Sequence, residues 1–163
     1  MSEYQLRPIE KNDNEALAKV IRSILKEHGV DKPGTVFTDP TTDHLFELFN
    51  SEPFAEYFVA VDQNNAIIGG CGIYPTDGLP EGCVELVKLY LLKEFRGKGI
   101  GKELMQVSID AAKKNFNAVY LETMPELSNA LELYRDLGFN TINSRLGESG
   151  HFSCDIWMLK ELN

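Results

Sequence analysis

VELVKLYLLKEFRGKGIGKELM, residues 84–105, decides how the rest of the chain is read. Its first nine residues, VELVKLYLL (84–92), form an apolar run long enough for a central strand. Three glycines at alternate positions follow, Gly97, Gly99 and Gly101, and the pattern from Lys98 to Asn115 then becomes helical. A strand that ends in a glycine-rich turn and starts a helix aims several backbone N–H groups at one point, where the helix dipole adds roughly half a positive charge. Glycine accepts unusual backbone angles and lets a bulky anion approach the chain, and Arg96, Lys98 and Lys102 put positive charge at its edges. The turn from Arg96 to Lys102 therefore reads as a diphosphate pocket, with a plain flexible helix start as the weaker alternative.

Outward from this stretch, YQLRPI (4–9) reads as a first strand. Asn12 or Asp13 is expected to cap a helix running to about residue 28, with Ala16, Leu17, Val20, Ile21, Ile24 and Leu25 on one stripe and Gly29 as its stop. Residues 30–42 lack periodicity and read as an exposed loop before a short helix at 43–50. EYFVAVD (56–62) and AIIGGCGIY (66–74), joined by QNN, form a hairpin. The helix after the glycines presents Leu104, Val107, Ser108, Ala111 and Ala112 inward, and AVYLE (118–122) is the next strand, parallel to 84–92 through a right-handed crossover. Leu127, Ala130, Leu131, Tyr134 and Leu137 mark a further amphipathic helix ended by Gly138. GFNTINS and HFSCDIWML read as two closing strands.

The chain has 163 residues, 43% of them apolar and 25% charged, which fits one domain spanning residues 1–163. A net charge of −9 argues against nucleic acid as a partner. No run approaches the ~20 apolar residues of a membrane span and no secretion signal leads the chain, so a cytoplasmic protein without a membrane partner is expected. Cys71, Cys83 and Cys154 are odd in number and widely spaced, which suits reduced thiols. His151 with Cys154 alone falls short of a metal site, and no metal is expected.

Two phosphate-binding alternatives can be weighed. A Walker A loop needs four residues between its glycines and then Lys-Ser/Thr, whereas Gly97 and Gly101 enclose three and Lys102 precedes Glu103. A dinucleotide-dependent oxidoreductase would use Glu122, about 20 residues on, to hold a ribose, but Lys102 replaces its third glycine and too little chain follows.

The stretch instead resembles the GCN5-related N-acetyltransferase (GNAT) family, whose motif Q/R-x-x-G-x-G/A binds the pyrophosphate of acetyl-CoA. Arg96, Gly99 and Gly101 fill its marked positions, and NALELYRDLGF (129–139) is similar to the family's following helix. The resemblance covers residues 57–139, with Lys93 where many members carry proline. It implies a mixed α/β fold: a mostly antiparallel sheet, one splayed parallel strand pair around the cofactor, and helices on both faces. It further implies acetyl-CoA as cosubstrate, held along Leu89, Tyr90 and Leu91 and by the turn Arg96, Gly97, Lys98, Gly99, Ile100, Gly101 and Lys102, with Asn129 as a further contact. A homodimer is implied on the same ground.

The expected reaction is acetyl transfer to a primary amine of a small molecule or peptide, by direct attack in a ternary complex. Strict alternation puts Cys83, Glu85, Val87, Leu89 and Leu91 on one strand face, with Glu85 its only charge. A desolvated carboxylate has a raised pKa and suits a base, and the family's histone-acetylating members carry a base at this place. The competing reading is a Glu85 that reaches solvent or pairs with Lys88 or an arginine. Tyr134 is either a core tyrosine or, as the resemblance implies, the acid that protonates the departing thiolate. A backbone N–H among residues 89–91 would polarise the thioester carbonyl. On the last strand His151 and Asp155 share a face but lie about 13 Å apart, which excludes a dyad and leaves a polar face or a substrate contact. No cysteine is placed as a covalent carrier. A non-catalytic acyl-CoA sensor is the alternative from another class, and it would need neither Glu85 nor Tyr134.

Overall fold

The computed structural model describes residues 3–162, apart from the side chains of residues 128 and 129. The element order is β1 (Tyr4–Pro8), α1 (Asn14–Glu27), α2 (Leu45–Asn50), β2 (Glu56–Asp62), β3 (Ile67–Tyr74), β4 (Cys83–Leu91), α3 (Ile100–Lys113), β5 (Ala118–Thr123), α4 (Ser128–Asp136), β6 (Asn140–Ile142) and β7 (Ile156–Glu161). Among the described residues these strands make one seven-stranded sheet in the order β1-β2-β3-β4-β5-β7-β6. Only β4 and β5 run parallel, because α3 carries the chain back between them. The mixed fold expected from the sequence is the fold observed.

One face of the sheet is covered by α1 and α2, whose buried Leu17, Ile21, Leu45 and Phe49 pack on Tyr57, Val59 and Tyr90. The other is covered by α3 and α4, where Ile100, Leu104, Leu131 and Tyr134 meet Val84, Leu86, Val119 and Leu121. In α3 the inner face includes Met105 and Ile109, while Val107, expected inside, sits half-exposed at the rim. Gly29 ends α1 with φ 70°, and the Val30 N–H returns to the Leu25 carbonyl at 2.9 Å.

The structure corrects several expectations. Asp13 does not cap α1 with its side chain; its carboxylate accepts from the Glu10 N–H at 2.7 Å and pairs with Arg7 at 2.8 Å, bracing β1. Residues 30–42 are not an open loop, since Val30, Thr35 and Thr42 are buried. Short 3-10 turns, capped by Thr35 and Asp39, satisfy enough of that backbone for it to lie against the core. The last strand begins at Ile156, not His151. Arg145 takes the Cys154 carbonyl at 2.9 Å and the Ser153 N–H bonds Gly34 at 3.1 Å, so backbone groups needed for a ladder are spent on loop contacts.

Candidate active site

Where β4 and β5 meet, their pairing stops early. Cys83, Val84 and Glu85 face Ala118, Val119 and Tyr120, and beyond Glu85 the strands part. A bulge in β4 accompanies the split: Gly72 opposes Val87 but Gly70 opposes Tyr90, so β4 holds one extra residue. Lys88 absorbs it with φ 55°, a left-handed angle rare for a residue with a side chain. Its carbonyl accepts from the Tyr57 hydroxyl at 2.7 Å. Tyr57 reaches that point because β3 is glycine there, and a Cβ on Gly70 or Gly72 would stand 2.6 or 2.7 Å from the tyrosine ring.

The bulge also breaks the alternation assumed for β4. Glu85 and Val87 do not share a face with Leu89 and Leu91. Tyr90 packs with Val87 under α1, whereas Leu89 and Leu91 turn toward α3. The same switch brings Lys88 to the side of Glu85, which is therefore not the sole charge there.

A groove of about 500 Å³ opens along the split. Leu89, Tyr90 and Leu91 form one wall, Tyr134 of α4 the other, and Gly97, Gly99 and Gly101 its mouth. Gly97 and Gly99 have φ 80° and 85°, and nothing lies within 4 Å of where their Cβ atoms would be, so the chain is open on that side. The first helical bond of α3 runs from the Glu103 N–H to the Gly99 carbonyl at 3.1 Å, leaving the amides ahead of it without acceptors in the helix. These features fit a diphosphate followed by a narrow apolar arm.

Individual residues of the turn differ from expectation. Arg96 is not a mobile charge: its Nε donates to the Leu91 carbonyl at 3.0 Å and its two terminal nitrogens clasp Glu27 at 2.7 and 3.0 Å. This clasp ties α1 to the turn and holds the Glu27 carboxyl below its ordinary range. Lys98 leans away toward Glu3 at 3.2 Å and over the Phe95 ring. Ile100 is 1% exposed and anchors in the core, so only its backbone can face the groove. Lys102 lines the groove and has no ion-pair partner among the described residues. The side chain of Asn129 lies outside the described residues. His28, not singled out from sequence, also lines the groove.

Tyr134 is shared between the groove and a cavity of about 70 Å³ whose wall also includes Glu85, Thr123 and Cys154. Glu85 and His151, which also line that cavity, are shared in turn with an outer pocket of about 260 Å³. Glu85 is 3% exposed and accepts a hydrogen bond from the Thr76 hydroxyl at 2.5 Å. Burial pushes its carboxyl up to about 7 against that hydrogen bond, with nearby Glu122 adding to the rise. Burial lowers the Lys88 ammonium, while Asp39 and Glu85 favour its charge. Asp39 bonds His151 Nε2 at 3.2 Å, and that contact holds its carboxyl well below the usual range. Asp39, Glu52, Asp77 and Glu148 make the outer pocket acidic.

His151 does not lie on a strand face as the sequence suggested: it stands before the last strand, across from Asp39 in the 30–42 segment, in the wall of the outer pocket. Glu122 is not available to a ribose. Its carboxylate accepts from the Tyr120 hydroxyl at 2.7 Å, Ser149 at 2.5 Å and Arg145 at 3.3 Å. Cys154, weighed in the sequence only as a partner of His151, lines the small cavity; burial pushes its pKa up to about 12, so it stays a neutral thiol. Asp39 and Thr123 carried no sequence signal, because their significance lies in partners and cavities assembled from distant segments.

A splayed parallel strand pair, a glycine-turned helix start at its open end, and a buried carboxylate beyond it define an acyl-CoA-dependent transferase. The model of the Acetyltransferase (GNAT) family matches residues 21–139, and the chain belongs to that family. It is 39% identical over 160 residues to the uncharacterized N-acetyltransferase YjgM of Escherichia coli K12, covering 96% of this chain and 94% of that protein. It is 28% identical over 107 residues to the N-alpha-acetyltransferase RimI of Mycobacterium tuberculosis, covering 66% of each. A GNAT-family acetyltransferase from Staphylococcus aureus superposes with a TM-score of 0.87 at 19% identity over 98% of this chain and 99% of its own. A phosphinothricin acetyltransferase from Sinorhizobium meliloti, solved with acetyl-CoA, does so at 0.75 and 21%, over 99% and 90%.

Proposed function

We propose that the protein transfers an acetyl group from acetyl-CoA to a primary amine of a small molecule or peptide, by direct attack within a ternary complex. The observation that carries this reading is the succession of cavities with shared walls: Leu89, Tyr90 and Tyr134 are common to the groove at the glycine turn and the small cavity, and Glu85 to the small cavity and the outer pocket. The backbone amides of residues 97–102 and the Lys102 ammonium hold the diphosphate, and the parted edge of β4 at Leu89, Tyr90 and Leu91 holds the pantetheine arm. Bound there, acetyl-CoA supplies the activated acetyl group.

Glu85 accepts a proton from the incoming ammonium, because a carboxylate titrating near 7 is both ionised and basic at neutral pH. Tyr134 holds a proton for the departing thiolate. Burial raises its pKa, so the phenol remains a donor throughout the working range. An N–H from residues 89–91 polarises the thioester carbonyl without reorganisation. The acidic rim of the outer pocket favours a cationic acceptor. A cytoplasmic setting and a homodimer belong to the same proposal, the former supported by three unpaired cysteines.

The test is release of CoASH from acetyl-CoA across a panel of primary amines. Turnover with at least one cationic amine is expected. Tight acetyl-CoA binding with no turnover on any amine would replace this reading with a non-catalytic sensor.

A further inference from the structure

The glycine turn is the pliant part of the cofactor groove, and α1 is the stiff part. Gly97 and Gly99 both sit in the left-handed region with nothing within 4 Å of where a side chain would begin, so neighbouring atoms do little to fix that backbone. Leu17, Ile21, Ile24 and Leu25 bury the inner face of α1, so the end of that helix stands on a fixed base. Glu27 is its last residue, and Ile24 before it and His28 after it both line the groove.

One side chain joins the two parts. Arg96 sends its Nε back to the Leu91 carbonyl at 3.0 Å and both terminal nitrogens to the Glu27 carboxylate at 2.7 and 3.0 Å. A planar guanidinium held at all three nitrogens has a fixed orientation, and Arg96 directly precedes Gly97 in the chain. The arrangement contains a conflict of charge. A carboxylate beside a diphosphate pocket repels the ligand, and it occupies the guanidinium donors that would otherwise reach a phosphate. What it supplies instead is geometry.

We propose that Glu27 is a positioning residue for the cofactor: its clasp on Arg96 holds the turn of residues 97–101 against α1, so that the amides ahead of α3 already converge when the diphosphate arrives. The inference rests on the acetyl-CoA reading above. Glu27 touches Arg96 and not the ligand, and its effect on binding is opposite in sign to the effect of its charge.

Calorimetric titration with CoA tests it, in the wild type, Glu27→Gln, Arg96→Lys and the double variant, together with amide hydrogen exchange of each protein free of ligand. Glu27→Gln keeps the length of the side chain and removes the charge, whereas Arg96→Lys keeps the charge and removes the fork. Each single change should weaken CoA binding about 5-fold, the upper end of what a partly exposed ion pair supplies, and the double variant should lose no more than the greater single loss. Exchange in residues 97–102 of unliganded Glu27→Gln should be faster than in the wild type, with β2 and β3 unchanged. CoA binding that is unchanged or tighter in Glu27→Gln, as charge alone requires, overturns the proposal. So do losses that add in the double variant, a turn that exchanges no faster, or exchange that quickens equally across β2 and β3. Wild-type protein that binds no CoA overturns the acetyl-CoA reading and this inference with it, whereas wild-type binding that Glu27→Gln equals overturns the inference alone.

Discussion

Glu85 is a carboxyl whose buried surroundings alter its ordinary chemistry. Lys88 lies on its own strand, Glu122 on β5, Arg145 and His151 in the segment after β6, Asp39 beside the outer pocket, and Tyr134 and Cys154 across the small cavity. Of these forces burial dominates, and a carboxyl that titrates near 7 gives kcat/KM an acid limb that rises through that pH. Glu85→Gln should abolish the limb and lower the rate about 100-fold, as read from pH–rate profiles of the two proteins. Tyr134→Phe is expected to be milder, slowing turnover about 10-fold without stopping it, because a thiol with pKa about 8.5 can depart unaided. Single-turnover measurements of the two variants would separate these roles.

At the scale of elements, the site exists because β4 is bulged. The glycines of β3 leave room for Tyr57, its hydroxyl holds the Lys88 carbonyl, and that carbonyl belongs to the residue carrying the left-handed angle. Tyr57→Phe removes one buried bond and strands the carbonyl, which should cost about 1–3 kcal/mol in urea unfolding. It should also raise the KM for acetyl-CoA, since residues 89–91 depend on the bulge for their orientation. A variant with unchanged stability and KM would show that the bulge holds itself. The sequence made the apolar run and the helix start plain. Its alternation placed Leu89 and Leu91 beside Glu85, however, because a period of two cannot register one inserted residue.

Across the whole molecule, burial of the Glu85 carboxyl makes stability depend on pH. Its carboxyl titrates near 4.5 when unfolded and near 7 when folded, so the folded state binds more protons between those values. Stability is therefore full below about 4.5 and falls as pH rises toward 7, by on the order of 3 kcal/mol. Asp39 works in the opposite sense: His151 depresses its folded pKa, so its contribution is present above the ordinary carboxylate range and is lost in acid. Thermal melts should find Glu85→Gln more stable than the wild type at pH 8 and equal to it at pH 4. Equal melting temperatures at both would mean that Glu85 is not desolvated in the folded chain.

What the amino-acid order determined by itself was local and periodic. Apolar stripes located the helices, RGKGIG between a strand and a helix marked the anion-binding turn, and the spacing from Arg96 to Tyr134 carried the family resemblance. What only the tertiary structure decided were the partners of charged and polar side chains. Arg96 looked like a free phosphate ligand until α1 brought Glu27 to it, and His151 met Asp39 across 112 residues of chain. Burial decided the rest: Glu85 acquires a raised pKa and Thr123 an unpartnered hydroxyl only once surrounding segments exclude water, and desolvation is a property of packed neighbours that no spacing along the chain encodes.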